Sequence, residues 1–138
     1  MLAVNNLCIE RNGRAIIQDL SFTLEGQKRL FVQGEIGSGK TTLLLALLGF
    51  VPVTQGEIKL FGKVCREEKD FAPFRGTIGI CFQNADDQLF GPTVLDDIAF
   101  GPLNQNIPRE QAYHIAEQQL ERLGITRLKD RMVHTLSG

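Results

Sequence analysis

The amino-acid sequence predicts an α/β fold, a mixed sheet that begins with an antiparallel portion and is followed by an incomplete α-helical subdomain. Two observations carry this prediction. A glycine-rich loop stands between an apolar run and a run of helix formers, which is the strand–loop–helix order of a phosphate-binding core. The first half of the chain alternates short apolar runs with turn residues, whereas the second half is mainly helical in pattern. We expect a nucleotide-binding core over residues 1–83 and the incomplete helical subdomain over residues 84–138.

The glycine-rich loop is the most specific motif in the chain. It fits the pattern G-x-x-x-x-G-K-[ST] at every position and reads Gly34, Glu35, Ile36, Gly37, Ser38, Gly39, Lys40, Thr41. Glycines let successive N–H groups point into one concavity, and the following helix adds its dipole. Lys40 is placed to reach the outer phosphates, Thr41 to ligate Mg²⁺, and Thr42 to continue the site. The sequence therefore predicts a P-loop NTPase core that binds a nucleoside triphosphate with Mg²⁺.

The remaining elements follow from periodicity and turn residues. Strands are predicted over residues 2–9, 16–24, 29–33, 57–61 and 77–82, and helices over residues 42–48, 94–100 and 108–123. Asn12 and Gly13 favour a hairpin turn, and Thr93 is a helix N-cap candidate. Gly101 and Pro102 are expected to end the short helix, and the polar residues 67–70 are expected to form a solvated connector. Helical spacing predicts an inward face formed by Tyr113, Ala116, Leu120 and Leu123.

Composition excludes several classes of protein. The chain has 138 residues and a formal net charge of −1, without a basic cluster, so we expect no nucleic-acid partner. Its longest apolar run is too short to span a bilayer, and its start lacks the pattern of a signal peptide. The three cysteines are widely separated, which favours reduced thiols, with Cys81 expected in the core. Neither His114 nor His134 has partners at metal-ligand spacing.

Four features, in order, resemble the ATP-binding subunits of ABC transporters, whereas the loop alone would also suit GTPases or small-molecule kinases. They are the loop at residues 34–42, the strand ending in Phe82 and Gln83, the run at residues 86–94, and the terminal Leu136, Ser137 and Gly138. The last three resemble the opening of the LSGGQ signature motif. The resemblance implies ATP and Mg²⁺ as cofactors, a second ATPase subunit in a homo- or heterodimer, and a transmembrane transporter subunit as partner. It also implies attachment to the cytoplasmic face of the membrane through those partners, without contact to the transported substrate.

The resemblance assigns roles to residues. Gln83 is similar to the Q-loop glutamine, which contacts Mg²⁺ and the attacking water, so the resemblance implies that Gln83 and Lys40 are both catalytic residues. The alternative is that Gln83 is an ordinary surface glutamine. Ser137 and Gly138 resemble the part of the signature that binds phosphate held by the partner subunit. Arg11 stands where the family usually has an adenine-stacking aromatic residue, so it either stacks on adenine or is a solvated turn residue. Ile36 stands where the family often has Asn, with a mild effect expected because the cradle is built from backbone amides.

Residues 82–104 are similar to the ATPases of energy-coupling-factor importers, especially the cobalt and nickel branch. Gln88 matches a second glutamine of those proteins near the contact with the membrane component, although residues 86–88 also suit a hydrated loop. The resemblance implies an ATP hydrolase that drives import of a small solute, either a transition metal ion or a vitamin.

The family pattern continues past the signature into an Asp that holds Mg²⁺, a Glu that polarises water and a His, so the chain resembles one truncated within the signature. We therefore expect this chain by itself to bind nucleotide weakly, to hydrolyse it negligibly and to be poorly soluble. One alternative is a non-hydrolysing nucleotide-binding fragment of a split or truncated gene. Another is a P-loop protein of DNA repair or chromosome maintenance, which the short distance from loop to signature disfavours.

Overall fold

The computed structural model of the chain describes residues 1–84 and 88–136. These residues divide into two compact units, the first formed by residues 1–78 and the second by the described residues from 79 onward. The predicted division at residue 83 stays a prediction. None of the described helices is long and apolar enough to cross a membrane.

The first unit is built on a four-stranded antiparallel sheet. Its strands are β1 (Leu2–Arg11), β2 (Arg14–Leu24), β3 (Gln55–Leu60) and β4 (Lys63–Cys65), in the order β2-β1-β3-β4. Asn12 and Gly13 both adopt positive φ, 52° and 71°, as the tight hairpin between β1 and β2 requires. Phe61 and Gly62 repeat this geometry before β4, a strand that the sequence pattern missed. The predicted antiparallel N-terminal portion is therefore present.

Strand β1 keeps its apolar side chains on one face by means of an irregularity in the ladder. Val4 and Leu7 are both fully buried, although they are three positions apart and strict alternation would place them on opposite faces. The register shifts between these two residues, and Asn6 there adopts a φ of 48°. Because the shift adds one residue, Leu7 and Ile9 return to the buried face.

Helix α1 (Lys40–Leu47) covers this buried face, and the short α2 (Glu68–Phe71) closes its edge. Leu43, Ala46 and Phe71 join the strand residues in one core. Gly49, at φ 75°, ends α1 as predicted, since it lets Phe50 N–H reach the Leu45 carbonyl oxygen at 2.9 Å. The connector predicted at residues 67–70 is instead mostly helical, because the Glu67 and Asp70 side chains form a reciprocal capping box.

Two predicted buried strands are not formed. Residues 29–33 and 77–82 belong to no strand among the described residues, and no described segment pairs with either of them. Phe31 is 79% exposed and Phe82 43% exposed, and Cys81 is also exposed and not in the core. A β-strand requires a neighbouring strand to pair with, and an apolar run in the sequence does not show whether that neighbour is present. The prediction that these two runs form buried strands was therefore wrong.

The second unit consists of α3 (Val94–Asn104) and α4 (Arg109–Arg122), followed by short 3₁₀ turns. Helix α3 begins at the predicted Thr93 cap, whose Oγ1 accepts the Asp96 N–H at 3.2 Å. It continues past Pro102 to Asn104, contrary to prediction, and the Pro102 carbonyl oxygen accepts the N–H groups of Gln105 and Ile107 just after the helix. On α4, Ala112, Ala116 and Leu120 are fully buried, whereas Leu123 is 67% exposed and was wrongly assigned to the inward face.

Candidate functional site

The phosphate loop is an exposed backbone curl that ends at the N-terminus of α1. Residues 34–38 are all exposed, and the Ser38 N–H bonds back to the Glu35 carbonyl oxygen at 3.2 Å. Gly37 and Gly39 adopt φ values of 82° and 92°, a region that side-chain-bearing residues rarely occupy. Two of the predicted glycines are therefore required by backbone conformation.

Gly39 is also required by its neighbour. A Cβ at this position would lie 2.6 Å from the Cγ2 atom of Ile16 on β2. The start of α1 thus lies directly against the second strand, near the β1–β2 hairpin. This approach fixes the direction in which the helix N-terminus points, and it depends on the absence of a side chain at Gly39.

Lys40 lies across the loop that precedes it. Its Nζ donates to the carbonyl oxygens of Gly34 at 2.8 Å and Glu35 at 2.7 Å, and lies 3.5 Å from Ser38 Oγ. These acceptors are neutral, so a phosphate oxygen brought to the loop would offer the ammonium a stronger, charge-assisted partner. Lys40 therefore stabilises the loop, and its own positively charged ammonium group lies next to the exposed loop residues.

The first turn of α1 fits an anion. The opening N–H groups of a helix have no intrahelical acceptor, and α1 has no side chain that caps them and no acidic residue in its first turn. Thr41 is exposed, so its hydroxyl is available there. The described residues contain no cluster of three or more His, Cys, Asp or Glu that could hold a metal. Mg²⁺ commonly takes most of its ligands from substrate phosphate and water oxygens, and the Thr41 hydroxyl is one further oxygen that the loop offers.

Two residues singled out by the resemblance lie around the loop. Ile36 forms its tip and is fully exposed, away from the core. Arg11 is exposed at the end of β1, where it pairs with Arg14 across the hairpin. Ile16, which lies against Gly39 at the start of α1, is two residues from Arg14, about 7 Å along the strand. Arg11, the partner of Arg14, therefore lies at the end of the sheet that is near the start of α1.

Gln83 belongs to the second unit and is exposed. The residues before it are held by Gln88, whose Oε1 accepts the Phe82 N–H at 2.9 Å and whose Nε2 donates to the Ile80 carbonyl oxygen at 3.0 Å. The family resemblance implies that Gln88 lies near the contact with the membrane component and gives no sign of this pair of bonds, the Gln88 clamp. A side-chain amide can bond any backbone segment, so no spacing rule would have found it.

Asp97 was also overlooked as part of this region. Its Oδ1 accepts the N–H groups of Phe90 at 2.8 Å and Gly91 at 2.9 Å, which ties the segment after Gln88 to the first turn of α3. An acidic residue in the first turn of a helix is favourable for its charge alone, so the type and position of Asp97 do not reveal this contact. Ser137 and Gly138, and the acidic pair Asp86 and Asp87, lie outside the described residues.

Comparison with known proteins identifies the family. Residues 17–138 match the family model described as ABC transporter. The chain belongs to the ABC transporter family. The recognised stretch includes the phosphate loop, α1, Gln83 and Gln88, and excludes all of β1 and the first three residues of β2.

Relatives within the ABC transporter family agree with this assignment. An ABC transporter ATP-binding protein of Haemophilus influenzae is 98% identical over all of this chain, which covers 64% of that protein. An energy-coupling factor transporter ATP-binding protein of Fusobacterium nucleatum is 36% identical over all of this chain, which covers 52% of it. The chain therefore spans about half to two thirds of the length of these relatives.

A solved structure supports the fold. The structure of cbiO1 from Clostridium perfringens, described as part of the ABC transporter complex cbiONQ, superposes with a TM-score of 0.86 at 30% identity. The match covers 99% of this chain and 55% of the other. The predicted fold class, a P-loop α/β core with a helical portion, is confirmed by this likeness.

Proposed function

We propose that this chain is the nucleotide-binding part of an ATP-hydrolysing subunit of an ABC-type importer. The observation that carries the proposal is the loop itself, where the Lys40 ammonium lies across exposed loop residues directly before the uncapped first turn of α1. Membership of the ABC transporter family supports ATP as the nucleotide. The expected cofactors are ATP and Mg²⁺.

In the proposed mechanism the residues of the site divide the work of binding phosphate, metal and water. Lys40 holds the outer phosphates, and the amides of residues 34–42 cradle the chain of phosphates. Thr41 would ligate Mg²⁺, and the bound ion would neutralise charge on the transferred phosphoryl group. Gln83 would orient the attacking water and contact the metal through an amide that both donates and accepts. Ser137 and Gly138 would act on nucleotide held by a partner subunit.

The proposed physiological role is ATP-driven uptake of a small solute through a transmembrane partner at the cytoplasmic face. The similarity to an energy-coupling factor ATP-binding protein and to a cbiONQ component supports an importer. Within that class, residues 82–104 favour cobalt or nickel over a vitamin. We further propose that two ATPase subunits pair, since the signature and the loop serve opposite sides of one nucleotide.

Phosphate release from Mg-ATP tests this function. The test protein is the Haemophilus influenzae relative with this chain in place of the region that it matches, numbered as here. We expect steady turnover that falls at least tenfold in Lys40→Ala and in Gln83→Ala, as loss of a positioning contact implies. Lys28→Ala, a change at an exposed lysine outside the loop, serves as control.

Binding measurements with Mg-ATP and with DNA, made alongside the phosphate-release assay, separate the alternatives. Mg-ATP binding without phosphate release would support the non-hydrolysing nucleotide-binding protein. Absence of binding would exclude both. Salt-dependent binding to DNA would favour a chromosome-maintenance role instead.

A further inference from the structure

The three residues before Gln83 are held in place by a side chain that lies five residues after it. The Gln88 amide bonds the Ile80 carbonyl oxygen at 3.0 Å and the Phe82 N–H at 2.9 Å. Because one amide reaches both groups, both bonds lie on one side of residues 80–82. A neighbouring parallel strand would contact the same two groups. The single amide therefore replaces a strand partner at this edge.

The clamp acts directly on the backbone that leads into Gln83. Fixing the Phe82 N–H and the Ile80 carbonyl oxygen fixes two peptide planes and leaves few soft dihedrals before the Gln83 side chain. Both Ile80 and Gln88 are partly buried, which shields the bond between them from water. Gln83 itself is exposed and thus depends on its backbone for placement.

Gln88 is connected in turn to α3. Two residues further along, the Phe90 and Gly91 N–H groups both bond the Asp97 Oδ1 atom. Gly91 packs so closely there that a Cβ would lie 2.5 Å from the Asp97 backbone nitrogen. The segment that carries Gln88 is therefore tied to a helix by a charged acceptor and by close backbone packing.

We propose that Gln88 is a positioning residue for the reaction, which sets the placement of Gln83 by clamping residues 80–82. This inference rests on the proposed function and adds a second glutamine to it. The chemistry requires an amide of this length, since only Gln offers one acceptor and one donor at the required reach. Glu would place an oxygen against the Ile80 carbonyl oxygen, and Leu would offer neither group.

Kinetics of Gln88 variants in the test protein examine the proposal. We expect Gln88→Leu and Gln88→Glu each to lower kcat about ten- to hundredfold, the cost of a misplaced catalytic group. The Kd for Mg-ATP should change less than about twofold, because affinity belongs to the phosphate loop. The matched control is Gln119→Leu, a change at an exposed glutamine of α4, which should leave both constants unchanged.

A double-mutant cycle distinguishes positioning from a general structural effect. If Gln88 acts through Gln83, Gln88→Glu should cause no further loss of kcat in a Gln83→Ala background. Additive losses would overturn the proposal, as would a kcat within about twofold of the parent in both Gln88 variants. A parent protein that neither binds nor hydrolyses Mg-ATP would refute the proposed function. An active parent that is insensitive to Gln88 would refute this inference alone.

Discussion

The phosphate loop and the segment that carries Gln83 are stabilised in different ways. The loop is held by local interactions, since Lys40 bonds carbonyl groups five and six residues away and its glycines supply the required φ values. The residues before Gln83 are held by the Gln88 amide, which lies six and eight residues away from the groups that it bonds, and the segment after Gln88 is held by Asp97. Both sets of contacts are close in sequence, but the loop residues follow a known motif, whereas the Gln88 and Asp97 contacts follow no spacing rule.

The largest effect is expected from a substitution at Gly39, the most constrained residue of the phosphate loop. Gly39→Ala places a Cβ against Ile16 at a φ of 92°, so we expect a loss of about 2–4 kcal/mol in unfolding free energy together with loss of Mg-ATP binding. Urea denaturation and calorimetry measure the two effects. Gly26→Ala meets nothing within 4 Å and is the control, expected to stay within about 0.5 kcal/mol of wild type. Equal stability of both variants would show that the loop tolerates a side chain.

The second prediction breaks the other region. Gly91→Ala would bring a Cβ within 2.7 Å of the Asp97 Cα, and we expect a loss of about 1–3 kcal/mol because backbone must move. Gly101→Ala lies inside α3 in open space and should instead stabilise by up to about 1 kcal/mol. Thermal unfolding of the pair checks the opposite signs. A Gly91→Ala protein as stable as wild type would contradict the close packing.

The third prediction concerns the start of α3, on which Asp97 depends. Thr93→Ala removes the N-cap and should cost about 1 kcal/mol, whereas Thr93→Ser should cost much less because the hydroxyl remains. Hydrogen bonds from Thr93 and then from Tyr113 lower the pKa of Asp96.

That pKa shift gives the cap a pH dependence. A carboxyl with a lowered folded pKa contributes stability above its unfolded pKa, about 3.9, and this contribution is lost as pH falls through the folded value. The difference between wild type and Thr93→Ala should therefore shrink in acid. Urea titrations at neutral pH and near pH 3 measure it, and a difference that grows in acid would contradict the assignment.

The smallest expected effect sharpens the boundary of the nucleotide site. If Arg11 stacks on adenine, Arg11→Ala should weaken Mg-ATP binding about two- to fivefold, the scale of an exposed cation–π contact, and Arg11→Tyr should restore it. Arg127→Ala, an exposed arginine of the second unit, is the control. Titration with a fluorescent ATP analogue measures the affinities. Unchanged affinity in Arg11→Ala would make Arg11 a solvated turn residue.

The sequence was informative where structure is local. The phosphate loop, the Asn12–Gly13 hairpin, the Thr93 cap and the glycine end of α1 were all predictable from residue type and spacing. The apolar runs at residues 29–33 and 77–82 misled, because strand formation depends on partners that no single run reveals. The Gln88 clamp and the Asp97 anchor could not be predicted, since a side-chain amide or carboxylate can bond many backbone segments and no motif specifies which one it bonds here.

The central claim is that the loop binds the phosphates of ATP through its amides and one ammonium group. Calorimetric titration of Mg-ATP into the test protein, its Lys40→Ala variant and the Lys28→Ala control measures this directly. We predict saturable heat in the parent and control, and an affinity about ten- to hundredfold weaker in Lys40→Ala, the cost of one charge-assisted contact. An affinity in Lys40→Ala equal to that of the parent, or no heat in the parent, would contradict the account.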